Sequence, residues 1–215
     1  MNRPIPALLK HVPVEEKVIA FTFDDGPHPL YTKQLLEIFE SVNGKATFFM
    51  VGKEIESHEE VAKQVHAAGH ELGNHTETHP ALPSLAEEEI RAELERTDER
   101  IRSITGSSPA SFRPPYMAVN PELLSLASEM GYASIDAVNG AAKDWDRPGV
   151  PHIVEETRRT VQPGSILIFH DGDREREQTV EAVRILAEEL TAEGYRLVTV
   201  SELLRLQTEG KALSE

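Results

Sequence analysis

The stretch Val18-Ile19-Ala20-Phe21-Thr22-Phe23-Asp24-Asp25-Gly26-Pro27-His28-Pro29 is an apolar run that ends in two carboxylates and a group of chain-breaking residues. The run is short, rich in β-branched and aromatic residues, and bounded by Gly26-Pro27, so it predicts a buried strand rather than a helix. Because side chains alternate along a strand, the small residues and Asp24 share one face and the bulky residues share the other. The small face suits the interior of a barrel, with Asp24 at its mouth.

The two neighbouring carboxylates, Asp24 and Asp25, are the first candidate functional groups. Adjacent carboxylates repel each other and lose solvation when they are partly buried, so a fold that keeps both usually holds a cation or a proton beside them. Taken alone, the Asp-Asp-Gly sequence fits a solvated turn equally well, because Asp and Gly are common turn residues. Its meaning therefore depends on the residues at the ends of the other strands.

Length and composition set the outer bounds. The chain has 215 residues, of which 39% are hydrophobic, and this predicts one domain over residues 1–215. A net charge of -15 disfavours nucleic acid and anionic membranes as partners. The absence of cysteine excludes disulfides and thiolate chemistry. No membrane span, secretory signal or protein partner is indicated, so the expected location is the cytoplasm as written, or the cell exterior or wall if a leader was removed.

Strand-like and helix-like segments alternate along the chain, which predicts an α/β fold with a largely parallel sheet of about seven strands. The later strands are predicted at residues 46–51, 71–74, 111–113, 132–138, 165–169 and 195–200. Helices are predicted at residues 31–41, 53–68 and 179–193. A Ser84–Glu87 capping box should open a charged helix that runs to about residue 105, and Asn120 should cap another helix.

His75 and His79 are four residues apart, a spacing that brings two imidazoles within reach of one metal ion. Pro80 disfavours a helix at His79, so the pair is expected in a tight turn or a single helical turn at a strand end. A surface pair without function is the alternative. With a nearby carboxylate, two imidazoles would leave a divalent ion open positions for water and substrate, as in a catalytic site.

Three further groups lie after strand candidates: Arg113-Pro114-Pro115-Tyr116, Lys143-Asp144-Trp145, and Ile166 to Asp171 with His170 near its end. Taken singly, Arg113 could be a surface arginine, Trp145 a core aromatic residue and His170 a histidine at a strand end. Together they lie where the active rim of an α/β barrel is found.

In this order the residues resemble the polysaccharide deacetylases with a NodB homology domain, carbohydrate esterase family 4. The matching motifs are Thr22-Phe23-Asp24-Asp25-Gly26, His75-Thr76-Glu77-Thr78-His79, Arg113-Pro114-Pro115-Tyr116, Lys143-Asp144-Trp145 and Ile168-Phe169-His170. The resemblance implies a deformed (β/α) barrel that removes acetyl groups from N-acetylglucosamine sugars of the peptidoglycan or chitin type.

The resemblance also implies a role for each motif residue. Asp24 would be the general base, His170 the general acid, and Asp25, His75 and His79 the ligands of one divalent ion. Arg113 would orient Asp24, Asp144 would lie near His170, the Tyr116 backbone N–H would stabilise the oxyanion, and Trp145 and Leu167 would line the acetyl pocket. Zinc is the expected ion, and cobalt, nickel or iron also suit these ligands.

Two positions depart from the family pattern. Ala141 stands where the fourth motif has an aspartate, which puts the anchoring of the loop before Trp145 in question, and Ile168 replaces a leucine. Other functions stay open at this stage: an O-acetyl xylan esterase of the same fold, a non-haem iron oxygenase with a two-histidine, one-carboxylate site, or a catalytically silent carbohydrate-binding relative.

Overall fold

A computed structural model of the chain describes residues 6–212, with side chains described as far as residue 209. Residues 1–5, which begin the N-terminal stretch without a visible secretory signal, lie outside the described residues, as do residues 213–215. None of the helices within residues 6–212 is both long and apolar enough to cross a bilayer.

Seven strands and eight α-helices make up the described fold. The strands are β1 (Val18–Asp24), β2 (Thr47–Met50), β3 (Glu71–Asn74), β4 (Ser111–Phe112), β5 (Ala133–Ser134), β6 (Ile166–His170) and β7 (Arg196–Leu197). The helices are α1 (Tyr31–Ser41), α2 (Gly52–Ser57), α3 (Glu59–Ala67), α4 (Glu87–Thr105), α5 (Pro121–Glu129), α6 (Val150–Arg158), α7 (Glu177–Ala192) and α8 (Val200–Ala212).

All strand pairs in the sheet are parallel, in the order β5-β4-β3-β2-β1-β6, with β7 pairing β1. The sheet curls into a half-barrel flanked by helices, which confirms the predicted deformed (β/α) barrel of about seven strands. Parallel strands end at the same rim, so residues that come after different strands can meet there. Asp24 stands beside His170 of β6 and Phe49 of β2 in the register.

The two faces of β1 pack as its alternation predicts. Val18 and Ala20 lie in the interior cluster of the barrel with Phe49 and Ile166. The bulky residues Ile19, Phe21 and Phe23 pack outside, among side chains of α1 and α7. The strand is fully buried on both sides, which explains its near-continuous apolar sequence.

The N-terminal segment at residues 9–12 bridges β5 and β6, the two outer strands of the half-barrel. The Leu9 N–H donates to the Ser134 carbonyl of β5 at 2.9 Å, and the Ile166 N–H of β6 donates to the Lys10 carbonyl at 3.2 Å. The Val12 carbonyl lies so close to Gly164 that a Cβ there would come within 1.8 Å of it. This contact explains why the chain has a glycine before β6.

Several predicted boundaries differ from the structure. The helix predicted at 53–68 is two helices, α2 and α3, because His58 leaves helical geometry between them. Ser84 lies in a 3₁₀ turn and does not cap α4, which begins at Glu87 with the Glu89 carboxylate accepting the Ala86 N–H at 2.9 Å. The strands predicted at 132–138 and 195–200 shrink to two residues each, because their ladder pairing with β4 and β1 extends over only two residue pairs. The Asn120 cap is confirmed by its bond from the Leu123 N–H at 2.8 Å.

Candidate active site

A cleft of about 800 Å³ opens at the C-terminal rim of the sheet. Sequence-predicted site residues from five segments of the chain, at strand ends or in the loops after them, line it: Asp24, Asp25, His75, His79, Tyr116, Trp145 and His170. Arg113 and Asp144 are buried behind the cleft and contact residues that line it. The rim therefore gathers groups that are up to about 150 positions apart in the chain.

The loops that carry these groups have an unusual backbone. Asp25, Thr76, His79, Tyr116 and Met117 have φ values between 52° and 73°, in the left-handed region that non-glycine residues rarely adopt. Each such residue costs on the order of 1–3 kcal/mol, and residues of this kind cluster at functional sites.

Pro80 predicts that no long helix forms over residues 75–79, and the structure has none there.

Asp25, His75 and His79 form a group whose possible metal-ligand atoms all lie within 4.8 Å of one another. The Asp25 Oδ1 atom is 3.4 Å from His75 Nε2 and 3.2 Å from His79 Nε2. These distances exceed the ~2.7–2.9 Å of charge-assisted hydrogen bonds. They are close to the ~3.3–3.6 Å that separates neighbouring ligands of a tetrahedral ion with bonds of about 2.0–2.2 Å. The donor set and its spacing fit one divalent ion.

The second nitrogen of His75 fixes which atom of the ring faces the ligand group. Its Nδ1 atom lies 2.7 Å from the Arg113 carbonyl, so Nδ1 carries a proton, and in the neutral imidazole the free lone pair is on Nε2. A backbone carbonyl in this position is a common way to orient a metal-binding imidazole. The contact thus presents the Nε2 atom toward Asp25.

The pKa directions show that Asp25 and His75 each stabilise the charged form of the other. Burial would raise the pKa of Asp25, but the His75 imidazole beside it and the other two site histidines outweigh burial and lower that pKa. Burial would lower the pKa of His75, but Asp24 and Asp25 outweigh it and raise that pKa. For His79, burial and the neighbouring His75 lower the pKa, so this imidazole stays neutral and able to act as a ligand.

Asp24 is fixed by a fully buried arginine. Arg113 Nη1 donates to Asp24 Oδ1 at 2.8 Å and to Thr22 Oγ1 at 2.5 Å, and its Nη2 donates to the Asp136 carbonyl at 3.0 Å. The guanidinium also lies 4.4 Å from the Phe49 ring centre. The other carboxylate oxygen of Asp24 lies 3.9 Å from His75 Nε2, beside the ligand group but outside it. Asp24 therefore faces the place where an ion and its water would bind.

His170 ends β6, the strand next to β1, and has its own carboxylate partner. The Asp144 Oδ1 atom is 2.9 Å from His170 Nδ1, and Asp144 Oδ2 accepts the His170 N–H at 2.8 Å and the Thr179 hydroxyl at 3.0 Å. This leaves His170 Nε2 free to serve the cleft. Burial would lower the pKa of His170, but Asp144 outweighs it and, with Asp24 and Asp25, raises that pKa to about 9.

Two aromatic side chains flank the histidines at the surface. Tyr116 is 71% exposed, and its ring lies edge-on 4.7 Å from His79. Trp145 is 36% exposed and lies 5.4 Å from the His170 ring. Within the described residues, the Tyr116 backbone N–H has no hydrogen-bond acceptor. Both aromatic faces and this N–H are available to a ligand.

Leu167 is placed differently from the prediction. It is fully buried in the outer core, and Ile168 lines the cleft instead. The alternation of side chains along β6 predicts that Ile168 faces the cleft, because Ile168 is two residues from His170 and lies on the same face of the strand.

The loop before Trp145 is anchored by Asn139, a residue that none of the sequence motifs includes. The Asn139 amide pairs with Ile168 of β6 in both directions: its Oδ1 accepts the N–H at 2.7 Å and its Nδ2 donates to the carbonyl at 3.1 Å. Asn139 Nδ2 also lies 3.2 Å from the Thr157 hydroxyl. The loop is therefore tied to the strand that carries His170 although position 141 is alanine. The sequence feature that could have predicted this anchor is a polar amide, Asn139, two residues before Ala141.

Comparison with known proteins identifies the class to which this fold and site belong. The sequence profile of the polysaccharide deacetylase family matches residues 11–135, more than half of the chain. The chain belongs to this family, which confirms the resemblance seen in the motifs.

Individual relatives extend the likeness over nearly the whole chain. It is 38% identical over 195 residues to a peptidoglycan-N-acetylglucosamine deacetylase of Bacillus cereus, covering 90% of this chain and 91% of that protein. It is 31% identical to a chitooligosaccharide deacetylase of Azorhizobium caulinodans, and the match covers 83% of this chain and 90% of that protein. A solved structure with a TM-score of 0.85 and 30% identity, covering 93% of this chain and 71% of that one, is a mutant of a family pseudoenzyme with restored activity. Related proteins are thus deacetylases, and the family also contains an inactive member.

Proposed function

We propose that this protein is a divalent-metal-dependent hydrolase that removes acetyl groups from N-acetylglucosamine units of peptidoglycan or chitin-type saccharides. The observation that carries the proposal is the convergence of the Asp25, His75 and His79 ligand group with two separately supported proton-transfer groups, Asp24 and His170, in one cleft. The Bacillus and Azorhizobium relatives act on these two kinds of saccharide.

Asp25, His75 and His79 would hold the ion, with zinc expected and cobalt, nickel or iron also compatible with the oxygen and nitrogen donors. When bound, such an ion supplies a Lewis acid that activates water and polarises the acetyl carbonyl. The chain's own residues supply the rest of the chemistry.

Asp24 accepts the proton of the attacking water, because its carboxylate is held at the ligand group by Arg113. His170 donates a proton from Nε2 to the departing amine, since Asp144 holds Nδ1 and favours the imidazolium. The Tyr116 N–H is a donor for the developing oxyanion. Trp145 and Ile168 supply apolar surface for the acetyl methyl group.

The net charge of the chain supports a neutral or cationic substrate. At -15 the chain repels polyanions, so nucleic acid is not proposed as a partner. An acetylated carbohydrate is the partner that both the cleft and the relatives favour.

An acetate-release assay tests this proposal against its alternatives. The chain is incubated with N-acetylated chito-oligosaccharide, peptidoglycan glycan fragments and O-acetylated xylan, each with and without a chelator. We expect acetate from an N-acetylated substrate, lost on chelation and restored by zinc, with no need for oxygen. Release from xylan alone would favour the O-acetyl esterase, oxygen-dependent turnover would favour an oxygenase, and no release by zinc-loaded protein would favour a silent carbohydrate-binding relative.

A further inference from the structure

Helix α4 lies behind the turn that carries His75 and His79 and binds it through side chains that do not line the cleft. We propose that Arg100 and Glu77 are positioning residues for metal binding, which clamp this turn onto α4 and so set the directions of the two imidazoles. The inference rests on the proposed ion site and adds the device that preorganises it.

Glu77 lies between the two histidines in the chain but is buried away from them, with 4% of its surface exposed. Arg100 of α4 binds both of its carboxylate oxygens: Nη2 donates to Oε1 at 2.8 Å and Nε donates to Oε2 at 3.1 Å. Arg100 Nη2 also binds Glu56 of α2 at 3.1 Å. A two-point contact between planar groups fixes orientation as well as distance.

The Glu77 carboxylate packs tightly against the start of α2. A Cβ at Gly52 would lie 1.9 Å from Glu77 Oε2, so a side chain at position 52 would displace the carboxylate. The backbone is held at the same place, because the Gly52 N–H donates to the Thr76 carbonyl at 2.9 Å and the Lys53 N–H donates to the Glu77 carbonyl at 3.1 Å. The turn is thus enclosed between α2 and α4.

A second contact with α4 holds the next residue of the turn. The Glu93 carboxylate accepts the Thr78 N–H and the Thr78 hydroxyl, both at 2.8 Å. At the start of the turn, Asn74 Nδ2 donates to the Leu94 carbonyl at 2.8 Å. Three positions on α4 therefore fix residues 74, 77 and 78.

The turn needs such support because it has no regular secondary structure and contains two strained residues. Thr76 and His79 have φ values of 68° and 59°, which persist only where the surroundings impose them. The ion pair is partly buried, because the Arg100 side chain is 29% exposed, and such a pair adds little stability compared with an apolar pair of the same volume. What Arg100 and Glu77 add is a fixed direction for the peptide between the two ligands.

The expected effect is a loss of metal affinity. Partners that orient metal ligands cost about 10- to 100-fold in affinity when they are removed. Arg100→Met keeps the aliphatic stem and should weaken zinc binding by that factor.

The experiment is a zinc titration of the metal-free, folded proteins in competition with a chromophoric chelator, with melting of the metal-free proteins measured separately. The variants are Arg100→Met, Arg100→Lys and Glu93→Met. Arg91→Met is the matched control, since it breaks an exposed ion pair with Glu87 (3.0 Å) on the same helix. A purely structural role would lower the melting temperature and leave the zinc dissociation constant of the folded protein unchanged.

We expect weaker zinc binding in Arg100→Met, Arg100→Lys and Glu93→Met, which we call the clamp variants, with a smaller loss in Arg100→Lys than in Arg100→Met, and no change in Arg91→Met. Should Arg100→Met fail to fold, Arg100→Lys and Glu93→Met decide by the same criterion. Wild-type affinity in the folded clamp variants, or an equal loss in Arg91→Met, would overturn the inference. A wild-type protein that binds no zinc would instead contradict the proposed function.

Discussion

Asp24→Asn is the substitution that separates the two neighbouring carboxylates of the site. The amide keeps the size of the side chain and an acceptor for Arg113, but it cannot take a proton from water. Removal of a general base costs about 10²- to 10⁴-fold in kcat, which corresponds to a barrier about 2.7–5.4 kcal/mol higher. Because Asp24 lies outside the ligand group, zinc should remain bound.

The same substitution has a stability cost that can be worked from the Arg113 contact. Arg113 Nη1 is 2.8 Å from Asp24 Oδ1, and both side chains are buried. The amide can still accept a hydrogen bond, but the buried guanidinium loses its counter-charge, and an uncompensated buried charge costs about 3–5 kcal/mol. At about 2–4 °C per kcal/mol for a chain of this size, the melting temperature should fall by roughly 6–20 °C. The loss is bounded because Arg113 keeps its bonds to Thr22 and to two backbone carbonyls.

Asp25→Asn is the matched control for this prediction. Here the amide removes the charge that helps two imidazoles hold a divalent cation, so zinc binding should weaken and excess zinc should recover part of the activity. The assay measures zinc content beside kcat and melting temperature for both variants. Zinc loss in Asp24→Asn with retention in Asp25→Asn would refute the role assignment.

Three further outcomes are expected. His75→Ala and His79→Ala should each lose zinc and acetate release while circular dichroism shows a folded protein, because the strands bury the core independently of the site; unfolding on chelation at ambient temperature would contradict this. The folded-state pKa of His170 is about 9, above its ordinary value of about 6.5. The imidazolium therefore contributes stability fully below about pH 6.5, and this contribution is lost as the pH rises through about 9. The rate of acetate release should also fall as the pH rises through this range, which forms the basic limb of its pH profile. Asp144→Asn should move that basic limb toward lower pH. A basic limb that does not move would exclude His170 as the general acid. Finally, turnover of a neutral oligosaccharide should change little between low and moderate salt, whereas a steep dependence would indicate a charged substrate.

The fold could be predicted from the sequence because its strongest signals are local. The alternation in β1 separates the interior of the barrel from the helix-covered face, and the structure packs Ala20 and Phe21 accordingly. The two-residue strands β5 and β7 could not be delimited, since their length depends on how far a neighbouring strand offers backbone partners. The Ser84 cap was wrong because another residue, Glu89, caps the N-terminal end of α4.

The chemistry-bearing residues could be found from motifs, but their supports could not. Nothing local in the sequence connects Arg100 with Glu77, or Asn139 with Ile168, because each pair meets only through the packing of distant elements. Leu167 and Ile168 are both apolar neighbours, and only their parity relative to His170 shows which one faces the cleft.

Zinc titration of the metal-free chain, followed by acetate release from an N-acetylated chito-oligosaccharide, tests the central claim most directly. One ion held by Asp25, His75 and His79 predicts that activity rises in proportion to zinc and levels off at about one equivalent per chain. Acetate release that is independent of added metal, or a folded zinc-loaded protein that releases no acetate from any N-acetylated saccharide, would contradict the account.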